Sequence, residues 1–357
     1  MRYRTLLAGL ALSVTAVAVT AGETVQVSGF AVARASSGTG GVPFYDDPLA
    51  AQIQLGLDWR PSPRFGAHVH LLGRDDPQTS HRGSAGIVEA FAEVNLPVRN
   101  DRLRILAGAF FLPTSRENVD ALWESPYSIT SSALNTWFGE EFRPIGIDAA
   151  YTLRDSITIG ATVYRGNDTF GALPAVRGWT IGDHWALLGE HLRVDERVFT
   201  SVSAETDGRL GWSARARWHN ERGSIQYTRI DNRSDGRLYG HLYNWTTIFD
   251  LIGVDYTAGD WTFAAETGWG PTSLVVKHRV ITDPLQATYL LVSRRIGSTL
   301  LTARQEWFRN EEKVAPMRAT TAALLWLPAG RWRPGVEVTT SEGRTRVLAE
   351  LRYHFGQ

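Results

Sequence analysis

The sequence predicts an all-β chain, a transmembrane antiparallel up-and-down β-barrel of about sixteen strands with short periplasmic turns and long extracellular loops. Three observations predict it: an exportable N-terminus, short segments that alternate apolar and polar residues, and connections that are alternately short and long.

Arg2 and Arg4 form a short basic region, Leu6 to Val19 an apolar one, and Val19, Thr20 and Ala21 the small residues that signal peptidase accepts. Residues 1–21 are therefore expected to be a cleaved signal peptide, and 22–357 a single barrel domain. The apolar run falls short of the ~20 residues that a membrane-spanning helix needs. Cleavage strips Arg2 and Arg4 from 37 basic groups and leaves all 37 acidic ones, a small negative balance. This excludes a strongly basic nucleic-acid binder. The chain has no cysteine, so it has neither disulfides nor thiolate metal ligands, and neither a cofactor nor a metal is expected.

The remainder carries no long 3.6-residue apolar stripe; it reads as strands. They are expected near 23–35, 49–60, 65–74, 86–96, 102–112, 144–153, 156–165 and 208–219. Eight more follow near 223–231, 247–257, 260–270, 285–294, 298–309, 318–327, 331–340 and 344–355. In 210–219, Leu210, Trp212, Ala214, Ala216 and Trp218 share one face, and Ser213, Arg215, Arg217 and His219 the other. A soluble sandwich also alternates. What separates the two is the position of Trp59, Trp212, Trp218, Trp261, Trp269, Trp332 and Tyr353 near strand ends, as in interfacial girdles. The rhythm of connections points the same way. Short turns are expected at 61–64, 97–101, 153–156, 220–223, 258–260, 295–297 and 328–330. Longer connections are expected at 36–48, 75–85, 113–143, 166–207, 232–246, 271–284 and 310–317. The last strand alternates up to Phe355 and is followed by Gly356 and Gln357. It resembles the signal read by the bacterial outer-membrane assembly machinery.

Several stretches resemble Gram-negative porins of the phosphate-selective O and P type and their relatives: RILAGAFFLPTSREN (104–118), ETDGRLGWSARARW (205–218), YTRIDNRSD (227–235) and FDLIGVDYTAGDWTFAAETGWG (249–270). The resemblance implies a sixteen-stranded porin, solute diffusion and a loop turned inward after the fifth strand. The phosphate-specific members call for a lysine-rich channel, whereas this chain has only Lys277 and Lys313, so phosphate is not carried over.

A barrel of this size leaves a water-filled channel unless something narrows it. The candidate is 113–143, with Arg116, Glu117, Asp120 and Glu124, and beyond them Glu140, Glu141 and Arg143. Its RENVDALWES stretch is read as a short helix capped by Ser115. Folded inward, it would set its carboxylates against pore-lining Arg104, Arg215, Arg217 and Arg304, with Glu266 and Glu306 lining the pore beside them, a transverse field that sorts solutes by charge. Two blander readings stay open: an exposed, solvated loop, and wall arginines that only pair with Glu266, Glu306 or Glu350. His68 and His70 share a strand face but have no third ligand nearby; DNRSDG (231–236) is better read as a turn than as a calcium loop. Ser, His and Asp occur without a G-x-S-x-G elbow. The largest connection, 166–207, is semi-apolar over 171–185 and could cover the mouth or meet another subunit.

The expectation is thus an outer-membrane porin passing small polar or charged solutes. It would sit among outer-membrane lipid and lipopolysaccharide, with a homotrimer possible. The rivals are a barrel acyl hydrolase and a non-conducting adhesin or scaffold.

Overall fold

In the computed structural model the described residues are 24–38, 49–75, 84–194, 199–311, 315–328 and 330–356. The leader expected over 1–21, most of the connections 36–48 and 75–85, Lys313 and Gln357 lie outside them.

Sixteen antiparallel strands close into one barrel. They are β1 Thr24–Ser37, β2 Leu49–Ser62, β3 Phe65–Arg74, β4 Ala85–Val98, β5 Asp101–Ala109, β6 Ile145–Leu153, β7 Ile157–Arg165 and β8 Gly211–His219. Then come β9 Gly223–Asp231, β10 Thr246–Ala258, β11 Trp261–Val276, β12 Arg279–Ile296, β13 Thr299–Arg309, β14 Met317–Trp326, β15 Trp332–Ser341 and β16 Arg344–Phe355. The terminal strands complete the ring, with Gly29 opposite Phe355 and Ser37 opposite Val347, so no barrel edge is left unpaired. Four short strands, at 191–193, 199–201, 238–239 and 242–243, form a separate small sheet among the long connections.

The faces sort as alternation demands, with polarity inverted relative to a soluble protein. Ile147 and Ile159 stand 58% and 57% exposed on the outer face, while Arg304 and Arg352 are 1% exposed on the inner one. Such an exterior is stable against hydrocarbon. Trp59, Trp218, Trp261, Trp326 and Trp332 lie at the short-turn end of their strands, and Trp212, Trp269 and Trp307 toward the other.

Two expectations about the strands are corrected. The connection placed at 271–284 is ladder: β11 and β12 run on and turn tightly at Lys277 and His278, with φ of 47° and 67°. Pro271 sits opposite Pro284, and this pair without N–H donors is what makes the segment read as a loop. β5 stops at Ala109 instead of 112. Gly108 has φ of 139°, and a Cβ there would come within 2.7 Å of Phe91 Cα, so a glycine is needed where the strand is left.

The chain between β5 and β6 then runs inside the barrel. Its helix is not at 116–125, where Ala121–Trp123 forms one 3-10 turn with Leu122 and Trp123 at positive φ. Ser115 Oγ caps a turn, accepting from the Glu117 and Asn118 amides at 3.0 and 2.8 Å. The helix is α1, Ala133–Glu141, with all its residues buried and Ser132 as N-cap. The connection between β7 and β8 packs on it. Trp137 stacks on Phe170 at 4.4 Å and meets Trp179 and Phe249 edge-on, so a hydrophobic core lies within the barrel.

Candidate functional site: the charged lumen

Alternation aims the polar residues of the strands inward, and 110–144 supplies their partners. Arg304 on β13 donates from Nη1 to Glu117 Oε1 at 2.6 Å and to the Thr130 carbonyl at 2.7 Å, and from Nε to Glu306 Oε1 at 2.8 Å. Glu337 on β15 accepts the amides of Ile129 and Thr130 at 2.8 and 3.0 Å. At the start of α1, Glu306 Oε2 accepts the Ala133 amide at 2.7 Å, a negative charge at the positive end of the helix. Glu266 on β11 accepts Asn135 Nδ2 at 2.7 Å and the Tyr289 hydroxyl at 2.6 Å. Across the lumen, Glu124 takes Arg352 Nη1 at 2.9 Å and Gln54 Nε2 at 3.0 Å. The segment is thus tied to β2, β11, β13, β15 and β16.

The connection 166–210 forms a second layer. Arg34 on β1 grips Asp183 with two bonds of 2.7 Å and also reaches Glu350 at 2.6 Å. Glu141 of α1 accepts from Trp137 Nε1 at 2.7 Å, the Gly171 amide at 3.0 Å and Thr200 Oγ1 at 2.6 Å, joining the two segments. Arg74 on β3 pairs with Glu190. Burial alone would raise the Glu190 carboxyl, but His184, Arg74 and the Leu187 amide hold it down at about 2. Connection 166–207 therefore packs into the barrel rather than only covering its mouth.

The wall arginines named from the sequence separate into two groups. Arg215 is closed off: it lies over Gly160 and forms a forked pair with Asp148 at 2.5 and 2.8 Å. Arg304 is spent on Glu117 and Glu306. Arg104 remains open, 3.9 Å from Glu93 with its side chain 44% exposed. Arg217 donates no hydrogen bond to any described residue. Of the segment residues, Glu117 and Glu124 are buried in ion pairs, Arg116 lies 3.6 Å from Asp255, and Asp120 is exposed at the tip. His68 and His70 serve as wall groups, hydrogen-bonded to Asp58 and Gln54 at 3.0 and 2.8 Å. In 231–236, Asp231 and Asp235 accept the Arg233 and Arg237 amides at 2.8 and 2.9 Å, closing local turns. Sequence reasoning missed Arg34, Asp148, Asp183, Glu337 and Arg352. Asp148, Glu337 and Arg352 could have been found by following the inward alternation on their strands; Asp183 has no such register.

Two chambers flank the layers. One of about 650 Å³ at the short-turn end touches Arg104, Arg116, Asp120, Arg217 and Asp255. The other, about 70 Å³, lies between Gln52, Arg34, Arg74 and Asp183. Along β2, Gln52 faces the small chamber, Gln54 the Glu124 contact, and Gly56 the Leu122 side chain that borders the large one. The Glu124–Arg352 pair therefore lies where the two approach each other.

No protein-family model matches the chain, and no curated protein matches it. Solved structures do. The outer membrane channel DcaP of Acinetobacter baumannii superposes with a TM-score of 0.64 at 14% identity, covering 94% of this chain and 99% of that one. OmpF of Salmonella typhi gives 0.59 at 12% identity, covering 94% and 98%. OmpT, an outer membrane protein of Vibrio cholerae in trimer form, gives 0.59 at 10% identity, covering 93% and 99%. None of these singles out the phosphate-selective O and P group. What they share with this chain is the fold, the closed sixteen-stranded barrel of the outer-membrane porins.

Proposed function

We propose that this chain is an outer-membrane porin that lets small polar or charged solutes diffuse through a lumen narrowed by 110–144 and 166–210. One observation carries the reading: beside the apolar core around Trp137, ion pairs and hydrogen bonds tie the inserted residues to the wall, and open chambers with charged lining remain on either side. Arg304, Glu266 and Glu306 act as anchors of the constriction with Glu117 and Glu124, and Arg215 as a buried strut. Arg104, Arg217, Arg116 and Asp120 line the path and set its charge preference. The phosphate-selective group is one finer possibility, and a homotrimer, as in the OmpT trimer form, fits the same reading.

The test is single-channel recording of the protein refolded into planar bilayers, alongside an assay for release of fatty acid from outer-membrane lipid. Discrete steps whose reversal potential shifts in a salt gradient after Arg217→Ala support the pore and its lining. A silent barrel that hydrolyses lipid sinks both.

A further inference from the structure

The large chamber is two-faced. One side carries Arg217 and Arg116 beside Asp255, which also accepts the Ser224 hydroxyl; Glu89 and Asp120 line other parts of the chamber. Arg116 is 5% exposed and fixed by Ser224 Oγ at 3.2 Å and Gln226 Oε1 at 3.3 Å. Arg217 donates to no described protein acceptor, and its buried Nε is unpartnered. The side chain is half-buried, so the donors that find no protein acceptor are open to an anion in the chamber. The other side is apolar: Phe91, Leu106 and Phe110 of the wall, with Val119 on the segment tip 52% exposed. At about 650 Å³ the chamber falls within the range of small-molecule sites, ~300–1,000 Å³.

We infer that this chamber is a binding site for a small aromatic carboxylate, with the carboxylate on Arg217 and the ring against Phe91, Leu106 and Val119. This rests on the pore reading, for which it names a solute class. The donors that Arg217 leaves unused favour an anion at that side, because a cation there would meet like charge. The apolar side favours a ring over a hydrated inorganic anion, which would leave Val119 and Leu106 against water. The chamber opens at the short-turn end, so such a solute would be held between the constriction and the exit.

Benzoate is the probe, with acetate, which has the charge without the ring, and benzyl alcohol, which has the ring without the charge. Equilibrium binding to the whole protein in detergent micelles decides the site. Benzoate is expected to bind at least tenfold more tightly than either control. Arg217→Ala should weaken it about tenfold, the loss of one charge-assisted hydrogen bond. Val119→Asn, on the opposite side, should weaken it as well while leaving acetate unaffected. Equal affinity for benzoate and acetate, or binding unmoved by Arg217→Ala, overturns the assignment. Planar-bilayer currents then judge the pore separately. If the barrel conducts but benzoate neither binds nor interrupts the current, the site is wrong and the porin reading stands. If benzoate binds through Arg217 while the barrel is silent, the site stands and the porin reading fails.

Discussion

Replacing Arg304 by Met tests whether charge holds the inserted segment in place. The guanidinium is wholly buried and answers two carboxylates, Glu117 and Glu306, with side chains 0% and 2% exposed. It also serves the Thr130 carbonyl at 2.7 Å and the Ser131 carbonyl at 3.2 Å. Met fills much of the same volume but leaves both carboxylates without their cation. Breaking a buried pair in this way costs about 3–5 kcal/mol. The barrel ladder does not depend on Arg304, whose strand neighbours are held by backbone bonds, so the cost falls on the docking of 113–143. Hydrogen exchange of the α1 amides reads that docking directly. A loss of about 3 kcal/mol raises exchange through local opening by more than ~100-fold. Channel currents should become larger or noisier at the same time. Adding Glu117→Gln and Glu306→Gln should recover part of the protection, because the stranded charges are then gone. Arg215→Met is the control: it strands Asp148 in the wall at the same burial but leaves α1 protection unchanged. If Arg304→Met leaves α1 exchange at the native level, the ion pair does not hold the segment and the reasoning is refuted.

Other perturbations probe separate layers. Gly160→Val would place a Cβ 2.5 Å from Arg215 Cζ, push the guanidinium off Asp148 and lower the melting temperature; an unchanged value would mean that Arg215 moves aside freely. On the lipid face, Ile159→Arg should cost ~2–4 kcal/mol of folding stability in a bilayer, and the inward neighbour Thr158→Arg clearly less. Equal costs would mean that the faces are misassigned. Asp168 is raised to about 6, first by burial and then by Asp207 and Glu205, whereas an unfolded Asp titrates near ~3.9. The folded state thus holds the proton more tightly, and packing of 166–210 gains stability as pH falls from 7 through 6 toward 4. Protection factors across that segment, corrected for the pH dependence of the intrinsic exchange rate, should be higher at pH 5 than at pH 7.5, and Asp168→Asn should remove the difference.

The barrel was legible because a strand exposes its identity every second residue. Trp212, Ala214, Ala216 and Trp218 on one side, and Ser213, Arg215 and Arg217 on the other, leave one assignment of inside and outside. Where prolines interrupt the alternation, at Pro271 and Pro284, legibility failed: a strand protruding beyond the lipid no longer needs an apolar face. The lumen was legible only in part. Glu117 with Arg304 is an opposition that charge pattern suggests. That Arg215 turns to Asp148 depends on Gly160 clearing a path across β7, a distance no periodicity reports. The helix was misplaced for a related reason. RENVDALWES has the acids and the cap of an amphipathic surface helix, but in this lumen they are drawn apart onto Arg304 and Arg352. ALNTWFGEE, buried on all sides, has no amphipathic stripe to announce it.

The central claim is that this barrel conducts and that its own inserted segments make it narrow. Single-channel conductance in the presence of neutral polyethylene glycols of graded size tests it most directly. The account predicts small, discrete steps that only the shortest polymers reduce. Large steps depressed by long polymers would describe an open lumen, and a barrel that never conducts would describe a plug; either result contradicts the account.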